Sequence, residues 1–204
     1  MSYSPPRRIT VACIAALTAL TIPTAASAAA TATDKAFVRE MVPHHQMANE
    51  MASMAKKEGE HQAIRSLASR VIKAQSGEIA TLRKIAKRLG VTPEKMMPGG
   101  EMSDQMMRDL ETLGVSMDDS SMMMDMSDLD GANPFDPKFI YMMVPHHRGA
   151  IFMARAELKK GRDNSLRKIA RSIIADQAEE IRQMNAWRKA WYGKTSPAGG
   201  VPGA

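Results

Sequence analysis

An internal repeat constrains this chain more than any other feature. Residues from Asp34 to about Gly90 recur from Asp136 to about Tyr192, at an offset of 102 and without a gap. Asp34 matches Asp136, Phe37 matches Phe139, and Met41-Val42-Pro43-His44-His45 matches Met143-Val144-Pro145-His146-His147. Further along, Ala48/Ala150, Met51/Met153, Gly59/Gly161, Arg65/Arg167, Gln75/Gln177 and Glu78-Ile79/Glu180-Ile181 also coincide. Two stretches of one chain that agree at this many positions are expected to share one shape.

Each half reads as two helices. Asp136-Pro137 is expected to cap the first helix of the second half with proline in its first turn, and Asp34 takes the same place in the first half. Phe37, Met41, His44/His45, Ala48, Met51/Ala52 and Ala55 then form an inward stripe at helical period. Gly59 and Gly161 end these helices. The second helix carries Ile64, Leu67/Ala68, Val71, Gln75, Glu78/Ile79, Leu82 and Leu89, and its copy carries Leu166, Ala170, Ile173, Gln177, Glu180/Ile181, Met184, Trp187 and Trp191. Pro43 and Pro145 fall inside the first helices, one residue before each His pair. Proline there removes a backbone bond at roughly 3 kcal/mol, so the repeated placement points either to a kink beside the histidines or to a fresh helix start. The expected fold is all-α: a ferritin-like four-helix bundle built from two repeated αα-hairpins, spanning residues 31–192.

Residues 91–133 join the repeats (34–90 and 136–192) as a Met-rich acidic crossover. They hold ten acidic residues against two basic ones, Lys95 and Arg108. Ser103 to Leu113 reads as a short helix stopped by Gly114, with Met102, Met106, Leu110 and Leu113 on one face. The tail, 193–204, is Gly/Pro-rich and expected to be disordered. Residues 1–30 read as a Sec-type signal peptide: Arg7-Arg8, an apolar run from Ile9 to Ile22, and a small-residue cleavage site near Ala28. The run is too short for a comfortable membrane span. The mature protein is therefore expected outside the cytoplasm (secreted, periplasmic or in the cell envelope), with no membrane span after cleavage. The one cysteine, Cys13, leaves with the leader, so disulfides and thiolate ligands are excluded. The Lys and Arg residues are scattered along helix faces with no aromatic platform, which excludes nucleic acid as a partner.

The sulfur is in methionine: 19 residues of 204. His44 and His45 lie about 100° apart around a helix, so both border the inward stripe. If the hairpins pack face to face, His146 and His147 meet them from the opposite side, alongside Met41, Met47, Met51, Met143 and Met153. Imidazole binds copper, zinc, nickel and iron, and thioether selects soft ions, above all Cu(I). Gln75/Gln177 and Glu78/Glu180 lie at i, i+3 on the second helices among apolar positions. A carboxylate there needs a partner: it could fix a histidine tautomer from behind, bind a metal itself, or pair with Arg65 or Arg70. In the crossover, Met117, Met122, Met123, Met124 and Met126 lie among Asp and Ser without helical period, which marks them as an auxiliary soft-metal site. His61, in a turn and without a counterpart in the repeat, reads as a surface residue.

The paired Met-Val-Pro-His-His motifs at 41–45 and 143–147, with Gln75-x-x-Glu78-Ile79 and Gln177-x-x-Glu180-Ile181, resemble the bacterial exported-protein family known as "domain of unknown function 305". The resemblance runs from about Asp34 to Tyr192. It implies a ferritin-like four-helix bundle and periplasmic copper binding and tolerance through His and Met, a role that falls on His44, His45, His146, His147 and the adjoining methionines. The chain departs from the family pattern where Met47 and Asn49-Glu50 replace the run kept at Gly149 to Ile151, and where Met122 to Met126 looks inserted. The leading expectation is an exported protein binding Cu(I) for buffering, transfer or tolerance, with other transition metals as alternatives and another exported copper protein as a partner. A ferritin-like metal oxidase using Glu78 and Glu180 is the enzymatic rival, weakened by the lack of a Glu-x-x-His pattern. A metal-free helical interaction domain is the third reading. No catalytic residue is assigned.

Overall fold

The computed structural model describes Met1 and residues 29–94, 103–196 and 199–203. The expected signal peptide falls almost wholly outside them, as does Met102. Helices and turns make up the described residues, with no strand among them. Four long helices, α1 (Ala32–Glu58), α2 (Gln62–Leu89), α5 (Phe135–Lys160) and α6 (Asn164–Tyr192), form the body. Two short ones lie in the connection, α3 (Asp104–Leu113) and α4 (Met117–Ser120). Among these helices none is long and apolar enough to cross a membrane.

α1 packs on α2 and α5 on α6 as two hairpins, and α1 faces α5 across the middle. Pro43 and Pro145 are both inside unbroken helices rather than at new starts. The two aspartates expected to be N-caps have another task. Thr31 caps α1 in a capping box with Asp34, and Pro134 occupies the cap position of α5, so both aspartates sit within their helices. Each instead reaches the far hairpin. Asp34 accepts from the backbone N–H groups of Arg162 and Asp163 (each 2.9 Å to Oδ1), and Asp136 accepts from those of Glu60 and His61 (each 2.8 Å). The N-terminus of each inner helix thus clasps the turn that ends the other, and α1 and α5 must run antiparallel. Those N–H groups open α2 and α6 and have no partner within their helices.

That antiparallel pairing explains the long connection. α2 and α5 run in the same direction, so the chain must climb the whole bundle, roughly 40 Å at 1.5 Å per residue, before α5 can begin. α3 begins the climb. It is capped by Ser103, stopped by Gly114 in a left-handed conformation (φ 71°), and tied to α1 by Arg39, which donates to Asp109. Midway, Ser121 donates to the Pro145 carbonyl (3.0 Å). Higher still, Lys138 pairs with Asp128 (2.9 Å). Met122 is buried, and Met124 and Met126 rest half-buried on the core, although their spacing shows no period. Met117 and Met123 are left exposed. The described part of the tail is not free, as its composition suggested, but lies back along α5 and α6. Arg148, Asn185 and Arg188 take the carbonyls of Gly200, Gly199 and Thr195, and Val201 packs on the core.

Candidate metal centre

The bundle core is two apolar clusters with a polar layer between them. One contains Met47, Met51, Phe139, Met143 and Ile181; the other contains Phe37, Met41, Leu82, Met153 and Ile173. His44, His45, His146 and His147, each fully buried, lie between them on α1 and α5. The two pairs do converge. His44 and His146 face each other with ring centroids 3.8 Å apart and planes tilted by 38°. His45 and His147 stand outward of them, at 6.3 Å and 6.4 Å from their neighbours.

The outer imidazoles are held from behind in the same way on both sides. His45 Nε2 is 2.8 Å from Glu78 Oε2, and His147 Nε2 is 2.7 Å from Glu180 Oε2. An ionised carboxylate only accepts, so Nε2 carries the proton and Nδ1 keeps a free lone pair. Of the roles open to Glu78 and Glu180, the geometry shows the histidine-fixing one. The arginines that were rival partners are used elsewhere: Arg65 on the carbonyls of Gly59 and Glu60, Arg70 on Gln183.

The inner pair has no such support. Both ring nitrogens of His44 and of His146, with Nδ1 of His45 and His147, are buried without a hydrogen-bond partner, as are Oε1 of Gln75 and Gln177. Burial, and after it the neighbouring imidazoles, holds His44 and His146 well below the ordinary histidine range, so both are neutral, each with one lone-pair nitrogen and one N–H. An unpartnered buried polar group costs about 1–3 kcal/mol, so six orphaned nitrogens in one layer are a large sacrifice of stability for a structural role alone. A transition metal accepts lone pairs of this kind, and carboxylates that orient the outer rings raise their basicity. Met41, Met47 and Met143 lie within one turn of the histidines along α1 and α5, and Met51 and Met153 about two turns on; all five are buried.

One other cluster escaped sequence reasoning. His61 is not a free surface residue: its Nδ1 lies 2.7 Å from Asp136 Oδ2, and its ring stacks on Trp191 at 3.8 Å. Donor atoms of Glu60, His61 and Asp136 lie within 4.8 Å of one another. Asp136 already accepts from two backbone N–H groups and faces this ring, which fits a clasp between the turn and α5. Only the fold, which sets α5's first turn against the α1–α2 turn, brings it together.

A helical bundle whose two halves each present a His-His pair, backed by a Glu from the following helix, defines a class of protein. The family model described as "Domain of unknown function (DUF305)" matches residues 34–198, and the chain belongs to this family. It is similar to CopM in its Cu(II)-bound form (32% identity, TM-score 0.64, covering 78% of this chain and 97% of that one). The Cu(I)-bound form of CopM is similar at 29% identity and TM-score 0.63, covering 78% and 98%. A putative secreted DUF305 protein from Streptomyces coelicolor shares the fold at 22% identity and TM-score 0.62, covering 80% and 96%. No curated protein sequence is matched.

Proposed function

We propose that this protein binds copper outside the cytoplasm, as Cu(I), in the layer formed by His44, His45, His146 and His147, and that it buffers copper or hands it on. The observation that carries this reading is the set of six buried ring nitrogens without partners, converging from both halves. Cu(I) is favoured over harder ions because the layer offers neutral imidazole with thioethers at hand, and because Glu78 and Glu180 are engaged in orienting rings. The likeness to CopM in copper-bound forms supports the choice of metal. Met41, Met47, Met51, Met143 and Met153 border the layer, while Gln75 and Gln177 join Glu78 and Glu180 behind it.

An anaerobic titration tests this, with the mature protein competing for Cu(I) against a chromophoric chelator beside the variant His44→Gln/His146→Gln. Tight uptake lost in the variant is the expected result. Uptake equal in both proteins would remove copper from the histidine layer, and no uptake by either would leave a metal-free interaction domain as the better account.

A further inference from the structure

The histidine layer has one wall that is not a long helix. The crossover lies there so closely that a Cβ on Gly149 would fall 2.2 Å from the Ser120 carbonyl oxygen and 2.7 Å from its carbon. Ser121 ties the same stretch to the Pro145 carbonyl (3.0 Å), one residue before His146. In the first half the position matching Gly149 is Met47, a buried side chain of the core. The two halves thus differ at this position, a buried side chain on a 27-residue helix in one and a close backbone approach by a loop and a single turn of helix in the other.

Outside that loop wall, Met117, Met123 and Met124 line a depression of about 220 Å³ with Asp118, Ser121 and Pro145. Met117 and Met123 are 44% and 48% exposed. Burying such side chains would bring about 1.5–3 kcal/mol each, so packing does not explain their place, whereas Met122 and Met126 turn inward nearby. Three thioethers on one small concavity suit a soft d¹⁰ cation and are poor ligands for hard ones. The crossover is also the acidic part of a basic chain, ten acidic residues against two basic in 91–133, so cations are drawn to this face.

We infer that Met117, Met123 and Met124 form an outer docking site for a soft monovalent cation, from which the ion passes to the histidine layer as residues 116–121 lift off Gly149. This rests on the histidine layer being the destination. The route is one-sided, since the crossover lies against Gly149 alone, and the matching position in the first half is a buried core methionine, Met47.

The test uses Ag(I) as a redox-silent probe, added to the mature protein carrying ¹³C-methyl methionine and ¹⁵N histidine. A second sample carries Met117→Leu/Met123→Leu/Met124→Leu, changes at two exposed positions and one half-buried one that keep volume and remove sulfur. The methyl signals of the three methionines should move together with the first additions. In the variant, the histidine rings should respond at least tenfold more slowly in rapid-mixing experiments. Methyls that stay still through several equivalents would overturn the docking site, and a variant that loads its histidines at the wild-type rate would overturn the route. Methyls that move while the histidine rings never respond would overturn the histidine layer as destination, a failure distinct from that of the docking site.

Discussion

The two hairpins are copies where they face each other and strangers where they face the crossover. Each supplies one imidazole facing its counterpart, one imidazole backed by glutamate, and one aspartate clasping the far turn. They part at Met47 against Gly149, at Glu40 against Met142, and at His61 against Asp163. Asp163 caps its own helix and pairs with Arg88, whereas His61 caps nothing and leans on Trp191. The shared positions build the polar layer and fix helix direction. Gly149 and Glu40, among the divergent ones, accommodate a single chain segment that lies on one side of a pseudo-symmetric body. Glu40, buried beside Asp109 of α3 and pushed up to about 9 by that burial, belongs to this second group.

The comparison breaks most sharply at Met47 and Gly149. Met47→Gly should lower stability by about 3–6 kcal/mol, from the emptied core and the added helix flexibility, and leave the crossover in place. Gly149→Met should cost about 1–3 kcal/mol as an overpacked site and, unlike the first, should expose residues 116–126 to limited proteolysis. Equal protease sensitivity in the two variants would mean that the crossover does not depend on Gly149.

Acid tests the equivalence of the inner pair, His44 and His146. The folded protein keeps His44 and His146 neutral, while the unfolded chain protonates them at ordinary pKa values near 6.5. Their contribution is therefore present above pH ~6.5 and lost as pH falls toward their depressed folded values. Between pH 7 and 5.5 these two histidines alone cost the metal-free protein about 2–3 kcal/mol. Glu40 (pushed up to about 9) and Glu157 (to about 8), protonated in the folded state and ionised in the unfolded one, gain stability over the same range and offset that loss. The histidine share is therefore read as the difference in denaturant midpoints between the wild-type protein and His44→Gln/His146→Gln, with a limiting difference of two protons; a difference of one would show that the halves contribute unequally. Asp34→Asn and Asp136→Asn should each cost about 1.5–3 kcal/mol in urea unfolding, since each removes charge-assisted bonds to two backbone N–H groups. A large difference between them would show that one clasp dominates. Smallest is the effect of Glu78→Gln and Glu180→Gln on Cu(I) affinity, about tenfold to a hundredfold each. The two should match within a factor of about three, since the two His–Glu geometries differ by only 0.1 Å.

The repeat and its stripes made the four long helices legible, and Ser103 and Gly114 bracket α3 as their chemistry demands. The histidine pairs were legible as candidates because a twice-used motif stands out in one sequence. Their convergence was not, since it depends on α1 and α5 being antiparallel and in register at His44 and His146. The aspartates were misread because their partners lie 75 to 129 residues away, beyond any local pattern. The same limit hid His61. Met122 and Met126 pack through a loop that has no period to read, so their place on the core was not legible, and Met124 both rests on the core and lines the outer depression.

Copper-edge X-ray absorption on the mature protein loaded with one equivalent of Cu(I) tests the central claim most directly. The four-histidine layer predicts nitrogen scatterers with the outer-shell pattern of imidazole rings, lost in His44→Gln/His146→Gln. A sulfur-only environment unchanged in that variant would contradict it and move the metal to the methionines of the crossover.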